Sequence, residues 1–182
     1  LSAEWEQLQP ETPEAVEGFY GNTPNYLWEL AKFNIDAAYI ARIAEASNLA
    51  GKVVDFGGGI GTYSLLTHGR GCALTYVDLP SAHRAFAEWR FKKHGVDIPS
   101  YDSLAALPSG EYDALVALDV LEHIHPAQVG EVMGEIVRVL KPGGQLVDVS
   151  PFDEGEEEGC PQHYDTADLW ERALEHHRFE SS

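Results

Sequence analysis

The sequence predicts an α/β fold, a three-layer sandwich in which helices cover both faces of a mostly parallel sheet. Two observations predict it. Short apolar runs near 52–55, 73–78, 97–100, 113–118 and 144–150 alternate with amphipathic stretches near 61–68, 80–94, 126–139 and 165–176. Strands that alternate with helices pair in parallel, and a parallel sheet must be covered on both faces. The second observation is the run Val53-Val54-Asp55-Phe56-Gly57-Gly58-Gly59-Ile60-Gly61. A buried strand ends in an acid, a glycine turn follows, and the apolar stretch from Thr62 to Leu66 starts a helix.

Taken in order, residues 1–12 are polar and closed by Pro10, and they are expected to fray. Residues 13–47 read as helical. Pro13 and Glu14 suit a helix start, and Ala37 to Ala44 carries an apolar stripe of helical period. Tyr20-Gly21-Asn22-Thr23-Pro24-Asn25-Tyr26 interrupts them and reads as a loop. The expected organisation is a helical segment over 1–48, acting as a lid or cap, and an α/β core over 49–182.

The 182 residues are enough for one domain with a sizeable core. Thirty acids against twelve Lys and Arg leave a net charge of −18, a surface that repels phosphate backbones, so no nucleic-acid partner is expected. Five acids crowd residues 153–158, which reads as a solvated loop. No run of 18 apolar residues exists, so no membrane span is expected. Cys72 and Cys160 have neither CxxC nor metal spacing and read as free thiols in a reducing cytoplasm. The chain starts at Leu1 without a methionine, as a processed or excised piece of a larger parent chain would; a homodimer is the other assembly considered.

The glycine turn suits a ligand at very close range; a tight structural turn is the alternative reading. Backbone N–H groups at a helix N-terminus bind such a ligand, and glycine stands where a Cβ would collide or where φ is positive. A dinucleotide fingerprint Gly-x-Gly-x-x-Gly from Gly57 would need a glycine at 62, which is Thr62. The pattern is instead Asp-x-Gly-x-Gly-x-Gly from Asp55. The second strand, Ala73-Leu74-Thr75-Tyr76-Val77-Asp78, also ends in an acid. A carboxylate has two acceptor oxygens for the two hydroxyls of a ribose edge. Dinucleotide and adenosyl ligands both suit such an acid.

Two later blocks separate them. Residues 101–124 contain Asp102-Ser103-Leu104-Ala105-Ala106-Leu107-Pro108, then Tyr112-Asp113-Ala114-Leu115, then Asp119-Val120-Leu121-Glu122-His123. Residues 140–146 read Leu-Lys-Pro-Gly-Gly-Gln-Leu. In order and spacing these four blocks resemble the class I, Rossmann-like methyltransferases that use S-adenosylmethionine (SAM). The resemblance covers about residues 50–150. It implies SAM as cofactor, S-adenosylhomocysteine (SAH) as product and a small-molecule methyl acceptor.

The resemblance also implies roles. Asp55, Gly57, Gly59 and Gly61 would surround the methionine portion of SAM. Asp78 would hold the ribose hydroxyls, and Leu79 would pack on the adenine. Asp102 and the Ser103 backbone would meet the adenine edge, and Asp119 would close the methionine end. His163, His123 and Tyr20 are the candidate catalytic groups. His125 adds a fourth possible ligand to Glu122, His123 and His163, but Glu-His-x-His on one turn is poor geometry for one ion, and no metal is expected. Methyltransferases of this class end in a strand hairpin. With the chain ending at Ser182, the terminal hairpin strands are expected to be missing. Two rival functions are a methyltransferase-like domain that binds SAM without methyl transfer and a nicotinamide-dependent oxidoreductase.

Overall fold

A computed structural model describes residues 2–46, 48–150, 152 and 163–179. Four helices come first: α1 (Ser2–Leu8), α2 (Pro13–Asn22), α3 (Pro24–Phe33) and α4 (Ala37–Glu45). The α/β part follows as β1 (Gly51–Phe56), α5 (Thr62–Thr67), β2 (Cys72–Val77), α6 (Ala82–His94), β3 (Ser100–Tyr101), β4 (Tyr112–Leu118), α7 (Val129–Val139), β5 (Leu140–Val149) and α8 (Ala167–His176). The strands form one sheet in the order β3-β2-β1-β4-β5. Every pairing is parallel. Among the described residues no strand follows β5.

Alternation along the strands builds a core on each face. Val53 and Val54 are adjacent and both fully buried, yet they point to opposite sides of the sheet. Val54 and Leu115 pack with Met133 and Ile136 of α7 and Trp170 of α8. Val53 and Val116 pack with Tyr76, Phe91 of α6 and Ile43 of α4. Helix α4 is thus part of the sandwich, as well as of the helical segment.

Three local expectations are corrected. Residues 2–8 form a docked helix, with Trp5 buried against Phe19 in an edge-on pair with centroids 5.0 Å apart, beside Tyr20 and Tyr164. Seven residues alone would not hold a helix; the docked indole supplies what propensity cannot. The break at 20–26 is only one residue wide. Helix α2 runs to Asn22, Thr23 turns extended, and Pro24 opens α3 at its first position, where the missing N–H costs nothing. The fifth strand, expected near 144–150, starts at Leu140, so that Lys141-Pro142-Gly143-Gly144 lies inside β5, where the register against β4 shifts between Tyr112 and Ala114.

The chain order sets the ligand position. From β1 the connections run outward one way to β2 and β3, and the other way to β4 and β5. Such a reversal opens a crevice at the carboxyl ends of β1 and β4, where open α/β sheets bind ligands. The acidic run at 153–158 and Cys160 lie outside the described residues; Cys72 is a free thiol.

Candidate active site

The crevice holds a cavity of about 850 Å³. Its floor is the glycine turn. Gly57, Gly59 and Gly61 all have positive φ, at 65°, 55° and 75°, but they answer to different neighbours. A Cβ on Gly61 would sit 2.6 Å from Phe91, and one on Gly57 would sit 2.6 Å from Val120. Those two positions are closed by packing. A Cβ on Gly59 would meet nothing nearer than Leu30 at 3.6 Å. Gly59 faces the cavity and leaves its space to a ligand. Gly61 ends the turn in the left-handed conformation that starts α5.

Two acids brace this turn from different sides. Asp78, at the end of β2, lines the cavity. Its Oδ2 accepts the Gly59 N–H at 2.7 Å, and its Oδ1 lies 3.0 Å from Nε2 of His83. His83 belongs to the first turn of α6 and is itself buried. Asp55 lies behind the turn instead. It is buried, its Oδ2 accepts from the Ser64 hydroxyl of α5 at 2.6 Å, and it is not part of the cavity wall. Burial pushes its carboxyl up to about 7, with the nearby Asp78 charge adding to the rise and the Ser64 hydrogen bonds offsetting part of it.

The rise fixes a pH dependence. An acid whose folded pKa exceeds its unfolded value holds a proton in the folded state that the unfolded chain has released. Between about pH 4 and pH 7, Asp55 therefore makes the folded chain lose stability as pH rises, and above the folded pKa the effect levels off. Asp55→Asn is expected to flatten this part of the stability curve, read as denaturant midpoint against pH. An unchanged slope would mean that Asp55 is ionised in the folded chain throughout.

The wall facing the turn comes from the helical segment. Tyr26 and Leu30 of α3 and Tyr39 and Arg42 of α4 line the cavity. Tyr26 meets the His83 ring edge-on at 5.3 Å. Arg42 pairs with Asp119 at 2.6 Å and lies over the rings of Phe33 and Tyr39, 5.5 and 5.6 Å from their centroids. Asp119 holds a left-handed φ of 54° just past β4, a conformation unusual for a residue other than glycine. Leu79, Asp102 and Ser103 line the same cavity, and Asp102 pairs with Arg84 of α6.

The far end collects the three catalytic candidates. The Tyr20 hydroxyl is 2.8 Å from Nδ1 of His123, and the His163 ring centroid is 4.7 Å from that of His123. Glu122 is fully buried beside them. Burial, reinforced by the charges of Asp119 and Asp148, pushes its carboxyl up to about 8; the neighbouring Ser150 hydroxyl and the Glu122 amide oppose the rise in part. Among the described residues, neither of its oxygens finds a hydrogen bond of good geometry. The Ser150 hydroxyl donates to Asp148 at 2.6 Å instead. Burial lowers the pKa of His163 below its ordinary value. His125 is turned away: its Nε2 meets the Glu11 carbonyl at 3.3 Å and its Nδ1 accepts from Ala127.

The structure thus places Gly57, Gly59, Asp78, Leu79, Asp102, Ser103 and Asp119 on one cavity with Tyr20, His123 and His163. Asp55 stands outside that wall. Sequence reasoning missed His83 and Arg42, whereas Tyr26, an aromatic of the helical segment read as a lid, does line the cavity. His83 carried a faint signal, five residues past Asp78 at a helix start. Arg42 carried none, since its partner Asp119 is remote in sequence.

Comparison with known proteins agrees with this geometry. A family model described as a methyltransferase domain matches residues 30–181. The ubiquinone biosynthesis O-methyltransferase of Azotobacter vinelandii is 36% identical over 110 residues, which are 57% of this chain and 46% of that one. The enzyme of the same name from Dechloromonas aromatica is 33% identical over 118 residues, 62% of this chain and 50% of that one. The chain spans about half the length of these curated relatives. Among solved structures, geranyl diphosphate C-methyltransferase from Streptomyces coelicolor A3(2), in complex with Mg²⁺, geranyl diphosphate and SAH, superposes with a TM-score of 0.64 at 17% identity, covering 86% of this chain and 67% of that one. A SAM-dependent methyltransferase from Leishmania major gives 0.65 at 14% identity, covering 96% and 79%. With the family match spanning most of its length and the sheet order bearing out the fold, the chain belongs to the class I SAM-dependent methyltransferases.

Proposed function

We propose that this chain binds SAM along the carboxyl ends of β1, β2 and β4 and transfers its methyl group to a small-molecule acceptor. One observation carries the reading: a single cavity joins the glycine turn and Asp78 at one end to Tyr20, His123 and His163 at the other. Adenosine lies between Asp78 and Asp102, the methionine portion lies over Gly57 and Gly59 toward Asp119, and the acceptor lies at the histidine end. The segment 1–48 acts as the lid, with Tyr26 closing over His83 and Leu30 over Gly59.

The sulfonium already activates the methyl group, so the protein's task is alignment and exclusion of water. If the acceptor is a hydroxyl, a neutral imidazole at the far end can take its proton; burial lowers the pKa of His163, which favours that form, and His123 is hydrogen-bonded to Tyr20. The acceptor is neutral or cationic. Glu17 and Glu131 line the cavity together with Glu135, which is paired with Arg138, and the arginine of the cavity wall, Arg42, is engaged with Asp119. A polyanionic acceptor would meet like charge there.

The test is turnover. Incubated with SAM and a panel of phenols, catechols, amines and prenyl diphosphates, the chain should form SAH with at least one neutral or cationic acceptor and with no diphosphate. SAH formation only with a diphosphate would overturn the acceptor assignment. Binding of SAM with no product across the panel would favour the non-catalytic rival.

A further inference from the structure

We propose that Glu122, His123 and His163 form a binding site for a divalent first-row transition-metal cation, of which Zn²⁺ is the simplest probe. One ligand atom from each of the three residues lies within 4.8 Å of the other two. Around an ion with bonds of roughly 2.0–2.2 Å, donor atoms stand about 3 Å apart, so closing the site takes a contraction on the order of 1 Å. Side-chain rotation supplies that.

Each residue is prepared for the role. Glu122 is fully buried with both oxygens lacking a good hydrogen bond among the described residues, a costly state for a carboxylate that a cation relieves. His163 has a buried Nδ1 in the same condition. In His123, Nδ1 meets the Tyr20 hydroxyl while Nε2 faces Glu122, 3.9 Å from its Oε1. With the proton on Nδ1 given to that hydroxyl, Nε2 presents its lone pair to the ion, and Tyr20 fixes the ring as an outer partner does in metal sites. The backbone ties the two segments together, since the Tyr164 N–H donates to the Glu122 carbonyl at 2.8 Å.

Two imidazoles and one carboxylate suit Zn²⁺ or Fe²⁺ and leave positions open. All three residues line the cavity, so an open position faces the acceptor end. An oxygen of the acceptor can take it, and the cation would make that oxygen more acidic. This ligand set differs from the one considered in the sequence, because His125 is turned toward Glu11 and His163 arrives from another segment. Bound to an ion, the two imidazoles act as ligands and no longer as bases. The site itself does not depend on the SAM reading.

The experiment titrates the whole chelator-treated chain with Zn²⁺ by calorimetry, and with Co²⁺ by visible absorption. SAM affinity is measured separately on each variant. Wild type is expected to bind one Zn²⁺ per chain and to give Co²⁺ ligand-field bands. His163→Ala and Glu122→Gln should each weaken Zn²⁺ binding at least tenfold, while His125→Ala leaves it unchanged. If Glu122→Gln fails to fold by circular dichroism, His163→Ala decides alone. The proposal is overturned if wild type binds no Zn²⁺, or if His163→Ala binds it as wild type does. It is also overturned if the ion is lost only on substitution of His176 or His177, whose rings lie 4.9 Å apart at the end of α8.

Discussion

Gly59→Val is expected to fold and to lose measurable SAM binding. Its Cβ would meet only Leu30, at an ordinary 3.6 Å, so the packed core is untouched. The cost to the fold is conformational: a branched residue at φ 55° carries strain of about 1–3 kcal/mol. That is less than the roughly 5–15 kcal/mol of a typical domain. The cost to the ligand is steric and complete, because the side chain fills the space that Gly59 leaves to the cavity. Gly61→Val is the contrasting variant. Its Cβ would collide with Phe91 at 2.6 Å, and it should lower stability and binding together. Circular dichroism with calorimetric titration separates the two. A folded Gly59→Val chain with normal SAM affinity would show that the ligand does not lie over this turn.

Asp78→Ala should weaken SAM binding by about 1.5–3 kcal/mol, the range for hydrogen bonds to a charged group. That is roughly ten- to a hundredfold in affinity. Two routes contribute. The carboxylate accepts from the ribose hydroxyls in the proposed pose, and it also fixes the turn through the Gly59 N–H. A 2′,3′-dideoxy analogue of SAM separates them, since it keeps the turn and removes the ribose donors. The loss on Asp78→Ala should be smaller for the analogue than for SAM. An equal loss for both would show that Asp78 acts only through the turn.

Much of the fold was legible because its signals are local. The β-branched runs of β1, β2 and β4 and the glycines after Phe56 announce a parallel sheet with a close-approach turn. What stayed hidden was decided by contacts between remote residues. Helix α1 exists because Trp5 finds Phe19 and Tyr164. Thr23 alone breaks the helices, because Pro24 serves as a first helical residue. In the site, Asp78 was visible at a strand end, whereas its partner His83 was not recognised. Tyr20, His123 and His163 could be proposed one by one, but their meeting could not, since Tyr20 and His123 are 103 positions apart and His163 lies on a third segment. Asp55 shows the reverse case. Its motif position suggests a contact with the ligand, yet the side chain turns to Ser64 behind the glycines.

The most direct test is calorimetric titration of the chain with SAM, SAH and NAD under one set of conditions. SAM and SAH should each bind once per chain, with NAD far weaker, because in the proposed pose the turn from Gly57 to Gly61 and the acids at 78 and 102 meet an adenosyl ligand whose second half is an amino acid. NAD binding as tightly as SAM, or no binding of SAM and SAH, would contradict the assignment.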